Sequence, residues 1–134
     1  MATNGKRNKS AGSGWERTLA ERFRQIGFKD VITTRQGSRE LDNLKIDLMN
    51  SNTSAEGRLK YNVQAKNIKG HIPYAKVIRE LPKENGIINV ICHKQTIKVG
   101  TRFLPVDNFA ILYLDDWLGM VKRLREYEQQ SNKP

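Results

Sequence analysis

The chain has one cysteine, Cys92, no apolar run near the length of a membrane span, and 14 acidic residues against 24 basic ones. Each shortage excludes something. A lone cysteine rules out a disulfide framework within the chain and leads us to expect a reduced, cytoplasmic setting, the host cytoplasm if the chain is viral. No signal-peptide pattern opens the sequence, and no segment reads as a membrane span. Cys92 closes the apolar run Ile87-Ile88-Asn89-Val90-Ile91, which marks it as a packed thiol rather than a nucleophile.

The acid deficit leaves a net charge of +10, and the excess is concentrated. Residues 58–102 hold ten of the 24 Lys and Arg but only two of the 14 Asp and Glu. Such a surface attracts polyanions through counterion release. Nucleic acid fits better than membrane, because the basic residues do not line one amphipathic helix with a large apolar face. A merely solubilising surface is the second reading. With 134 residues, 37% hydrophobic and 28% charged, the composition fits one globular domain with a single core. Residues 1–13, rich in Gly, Ser and Asn and carrying Lys6, Arg7 and Lys9, read as a flexible basic arm. Residues 14–134 form the domain.

Ser13-Gly14-Trp15-Glu16 has the S-x-x-E pattern of a helix start. The helix is expected to reach Ile26 and stop at Gly27, with Leu19, Ala20, Phe23 and Ile26 as its apolar stripe. At about 100° per residue, Glu16 falls inside that stripe, while Arg17, Glu21 and Arg24 point outward. An inward carboxylate in the first turn is either half of a capping box with Ser13 or a catalytic group.

Val31–Thr34 reads as a short strand, Arg35–Glu40 as a flexible polar loop, and Leu44–Met49 as a strand with Lys45, Asp47 and Met49 on one face. After a long connection over 50–57, Leu59–Lys66 alternates again, with Lys60, Asn62, Gln64 and Lys66 on one face. Antiparallel pairing of these two strands brings Asp47 near Gln64 and Lys66. A helix follows with Pro73 in its first turn and Ala75, Ile78 and Leu81 inward. Ile87–Cys92 reads as a central strand covered on both faces. Thr96–Val99 and Arg102–Leu104 are expected to form a peripheral hairpin around Gly100. Phe109–Leu114 is a further strand, and Asp115 opens a last helix with Leu118, Val121, Leu124 and Arg125 on its inner face. The expected fold is α/β, a central mixed sheet of about five strands flanked by helices.

Phosphodiesters resist attack because their anionic oxygens repel nucleophiles, and a divalent ion held by carboxylates relieves that repulsion. Asp47 is the natural direct ligand, Glu16 can reach the ion or its water, and Gln64 offers only a neutral amide oxygen. Lys66 is placed to orient water or stabilise developing charge. Magnesium suits such an oxygen site, with manganese as substitute. The bland reading of Asp47 and Lys66 is an exposed cross-strand ion pair of little energetic value. Asp42 is a second-choice carboxylate. His71 and His93 are expected at the surface or against DNA, and Trp15 and Trp117 in core or dimer packing.

The order Glu16, Asp47, then Gln64-Ala65-Lys66 resembles the PD-(D/E)XK nuclease superfamily. The opening Lys9-Ser10-Ala11-Gly12-Ser13-Gly14-Trp15-Glu16-Arg17, with Gly37-Ser38-Arg39 before Ile46-Asp47-Leu48, is similar to archaeal-type Holliday junction resolvases. The likeness covers residues 9–95. Two positions depart from the pattern. Ile46 stands where proline is usual, and Gln64 stands for the glutamate of E-x-K, giving a Q-x-K form similar to Mrr-type endonucleases. The resemblance implies a restriction-endonuclease-like fold and a homodimer that nicks four-way DNA junctions, with Arg35, Ser38 and Arg39 touching DNA. Lys9 and Arg17 at the amino end, and Lys69, Lys76 and Arg79 beyond the motif, are candidate phosphate contacts; for the last group a solvated helix face fits equally. A duplex-cutting Mrr-like enzyme and a non-catalytic DNA-binding protein on a degenerate nuclease fold are the alternatives.

Overall fold

Trp15, Leu19 and Ala20 recur at helical spacing, and burying them is what anchors the first helix, α1 (Ala2–Gln25), to the rest of the chain. The computed structural model describes residues 2–52, 54 and 57–132, with side chains from Ser13 onward. Helical backbone thus begins well before Ser13, and the S-x-x-E pattern lies inside α1 rather than at its start. Extending an existing helix costs far less than nucleating one, and Lys6, Arg7, Lys9 and Ala11 are good helix formers. The side chain of Lys9 lies outside the described residues. α1 ends where Gly27 takes φ +114°, with Phe28 N–H donating to the Phe23 carbonyl at 3.0 Å. Ile26, expected in the stripe, is exposed instead, because the chain leaves the helix there.

Next come β1 (Val31–Thr33), the single-turn helices α2 (Thr34–Gly37) and α3 (Arg39–Asn43), and β2 (Leu48–Asn50). The polar stretch read as a loop is therefore mostly helical. Ser38 caps α3, its Oγ accepting from Leu41 N–H at 3.2 Å. The second strand is shorter than expected, because Lys45 adopts φ +70° and turns the chain out of α3. β3 (Tyr61–Lys69) leads through α4 (Tyr74–Arg79) to β4 (Ile88–Val99), then β5 (Arg102–Leu112) and α5 (Leu114–Ser131).

β1 and β2 pair antiparallel. β3, β4 and β5 form a second, mixed sheet in that order, β3–β4 parallel and β4–β5 antiparallel. The protein is thus α/β, with one two-stranded and one three-stranded sheet rather than a continuous five-stranded one. The expected peripheral hairpin and the strands on either side of it are two long strands turning at Gly100, φ +64°. Polar residues from His93 to Gln95 hid that continuity.

The main core lies under α1, where Trp15, Leu19, Ala20, Val31, Leu48 and Val63 pack together. Trp15 Nε1 also donates to the Cys92 carbonyl at 2.9 Å, so its polar edge is satisfied within the core. On the other side of the sheet Val77, Ile78 and Ile72 of the α4 region cover Ile91. Val77 takes the inward place expected of Ala75, which is exposed. Asn62 and Asn89 bond to one another at 3.0 Å across the β3–β4 pair, and Asn89 bonds to the Pro82 carbonyl at 3.1 Å. His93 is buried, not at the surface, with Nε2 3.0 Å from the Ile68 carbonyl oxygen. Burial pushes the Cys92 thiol up to about 11, which matches a packed, unreactive sulfur. No helix among the described residues is long and apolar enough to cross a membrane.

Candidate active site

The two sheets meet at Asp47. Its amide donates to the Val63 carbonyl at 2.8 Å, and its carboxylate Oδ2 accepts from the Ala65 amide at 2.7 Å. A side-chain oxygen thus occupies the place where a strand carbonyl would continue the ladder, and the sheets fork beyond it. Alternation along β3 explains why the fork is polar. Val63 and Ala65 turn toward α1, while Asn62, Gln64 and Lys66 take the other face. The Asp47 carboxylate therefore lies on the main chain between Gln64 and Lys66, the two residues of the Q-x-K motif.

Burial is severe for Gln64 and partial for Asp47. Gln64 is 4% exposed, and its Oε1 is buried without a hydrogen-bond partner. An orphaned buried carbonyl costs about 1–3 kcal/mol unless something meets it. The Asp47 carboxyl is pushed up to about 7, chiefly by burial, with Glu16 and Asp42 adding repulsion; the Ala65 hydrogen bond and Arg35 oppose the shift. Lys66 is half-buried on β3.

Glu16 is also buried, at 4% exposure, but not as a capping group. Arg35 Nε donates to its Oε2 at 2.7 Å and Arg35 Nη2 to its Oε1 at 3.2 Å. This forked pairing is the geometry in which Arg binds carboxylates best. Arg35 arrives there because Thr34, fully buried at the start of α2, is tied to the segment that leads into β2. Thr34 Oγ1 donates to the Ile46 carbonyl at 2.7 Å, and Thr34 N–H to the Asp47 carbonyl at 2.9 Å. Glu16 raises the Arg35 pKa, first through these hydrogen bonds and then through its charge, and Asp42 and Asp47 add to the effect. One guanidinium thus sits in the field of three carboxylates. Sequence reasoning placed Arg35 against DNA and missed its bond to Glu16, since nothing in a polar stretch 19 residues away signals the partner.

The remaining candidates lie around this centre. Arg17 is exposed on α1, Arg39 opens α3, Lys69 ends β3, and Lys76 and Arg79 are exposed on α4. Ser38 faces its own helix as a cap. Among the described residues, no three His, Cys, Asp or Glu side chains cluster closely enough to hold a metal ion. An oxygen-only donor set would suit a divalent ion: the Asp47 carboxylate and, within its electrostatic reach, Glu16 once Arg35 leaves it, with the unpartnered Gln64 amide oxygen on the β3 face turned away from α1. Comparison of the chain with family models, with curated proteins and with solved structures gives no match.

Proposed function

We propose that this protein is a metal-dependent DNA endonuclease of the PD-(D/E)XK type, acting on Holliday junctions or other branched DNA. One observation carries the reading: a half-buried carboxylate, Asp47, fixed on the β3 main chain at Ala65, next in sequence to Gln64, whose amide oxygen is buried and unsatisfied. Both groups lack what a hard cation supplies. Asp47 is held near neutral protonation by burial, and a bound divalent ion would favour its charged form.

Asp47 and Gln64 would hold magnesium or manganese, with Glu16 as a third oxygen donor. Bound there, the ion would neutralise phosphodiester charge and lower the pKa of a water. Ala65 N–H orients the Asp47 carboxylate. Lys66, next along β3 and on the Gln64 face, supplies positive charge where negative charge develops on the scissile phosphate. Arg17, Arg39, Lys69, Lys76 and Arg79 supply the screened, sequence-independent attraction to the backbone.

The enzyme would act as a homodimer, and α5 supports this. Leu114, Trp117, Leu118, Val121 and Leu124 are all exposed, and at 100° per residue they fill a sector of about 120°. The helix lines a cleft of about 320 Å³ against the 84–88 turn through Asp115, Asp116, Gly119, Met120 and Arg123. Its polar side thus faces its own chain and its apolar stripe faces away. Leu118, Val121 and Leu124, expected on the inner face of the helix, are uncovered for this reason, as is Trp117, expected in core or dimer packing.

Asp47→Asn tests the site. Cleavage of a labelled four-way junction in magnesium is expected to fall at least a thousandfold with junction affinity within about twofold; cutting at the normal rate would refute the assignment. Competition with linear duplex separates a junction enzyme from an Mrr-like one. Gln64 in place of an acid favours a second reading, a DNA-binding protein on a nuclease fold that no longer cuts. Gln64→Glu decides between them, since metal-dependent cutting gained from an inert parent supports lost activity.

A further inference from the structure

In the free chain the third oxygen donor of the site is already taken. Arg35 holds both oxygens of Glu16, at 2.7 and 3.2 Å, and its positive charge also interacts with Asp42 and Asp47. The two partners differ in access. The Glu16 side chain is 6% exposed, whereas that of Arg35 is 48% exposed. The carboxylate is fixed and the guanidinium is the part that can leave.

The backbone under Arg35 cannot follow it far. A Cβ added at Gly37 would lie 2.7 Å from Met49 Sδ and 2.9 Å from Ile32 Cδ1, so α2 sits tight on β1 and β2. Thr34 pins the other end of the turn through its two bonds to Ile46 and Asp47. Release of Glu16 is therefore a side-chain movement on a fixed turn.

Resting on the nuclease reading above, we infer that Arg35 is a lock on the cation site that a polyanion opens. In the free protein Arg35 stands in for the cation by occupying Glu16. A backbone phosphate offers the guanidinium an equally good forked partner at the surface. Once Arg35 turns to it, Glu16 is left buried and unpaired beside Asp47, a state that a divalent ion relieves. Polyanion and cation then raise each other's affinity by the same factor, as linkage demands. The ion is held weakly until DNA arrives, so the site arms only on its substrate. A merely structural ion pair would give no such dependence.

The experiment measures Mn²⁺ affinity by titration calorimetry on the full chain, with and without a short DNA duplex. Asp47→Asn with the same duplex supplies the background from ions condensed on the DNA. The wild type is expected to bind Mn²⁺ at least tenfold more tightly with DNA than without. Arg35→Met should bind it tightly in both conditions, and Arg35→Lys, which keeps the charge but loses the fork, should fall between. If Arg35→Met does not fold, Arg35→Lys alone must still show a reduced response to DNA. Equal wild-type affinity with and without DNA, above the Asp47→Asn background, would overturn the lock and leave the nuclease site standing. No Mn²⁺ binding above that background in any variant would overturn both.

Discussion

The two ends of this molecule break the rule of apolar inside and polar outside in opposite directions. Around α1 and the sheet fork, Glu16 and Gln64 are buried and Asp47 is half-buried. On α5, Trp117, Leu118, Val121 and Leu124 are left in solvent. Buried polar groups without full partners mark a place where a ligand completes the structure. Exposed apolar stripes mark a place where another surface does. On the proposed function, the first region would receive something small and charged, the second something large and apolar.

That contrast can be broken at either end. The largest effect is expected from Trp15→Ala, which removes both the centre of the α1 core and its bond to the Cys92 carbonyl. Loss of about 3–5 kcal/mol of unfolding free energy in urea titration is expected; less than 1 kcal/mol would mean that α1 is not anchored there. Val121→Asp with Leu118→Asp on α5 should cost about 2–3 kcal/mol, but of association rather than folding. Sedimentation should show monomers with an unchanged urea midpoint, and a destabilised monomer would mean that the stripe covers its own chain.

The smallest effect sharpens the site end and depends on pH. Because burial raises the Asp47 pKa from 3.8 to about 7, the folded state keeps a proton that the unfolded chain releases. The group's contribution to stability is full below about pH 4, is lost as pH rises toward 7, and stays lost above it. Asp47→Asn should therefore match the wild type in melting at pH 4 and gain about 2 kcal/mol at pH 8, roughly half of the full shift converted to energy. No gain at pH 8 would show that the carboxylate is adequately solvated.

How far the sequence reached depended on the range of each signal. Local periodicity located α1's buried face, β1, β3 and the inward turn of Glu16, because spacing within one element fixes which side chains share a face. It also showed that Asp47 and Gln64-Ala65-Lys66 lie on neighbouring segments. Arg35–Glu40 reads as a loop, since single-turn helices are too short to repeat an apolar position. The bond between Arg35 and Glu16 depends on Thr34 fastening α2 to Ile46 and Asp47, a tertiary event with no local trace. On α5 the stripe was visible from spacing, but its direction was not. Amphipathicity says that a face seeks cover without saying which chain provides it.

The bond from the Ala65 amide to the Asp47 carboxylate makes one backbone proton a resident probe of the site's ionic state. A hydrogen bond to a charged carboxylate is stronger than one to its neutral form. The Ala65 resonance should therefore move downfield as the aspartate ionises, through a titration centred near neutrality. If the proposed ion binds, it should shift again as the ion draws electron density from the acceptor oxygen, so nuclear magnetic resonance would test occupancy without a label, a substrate or a cut strand.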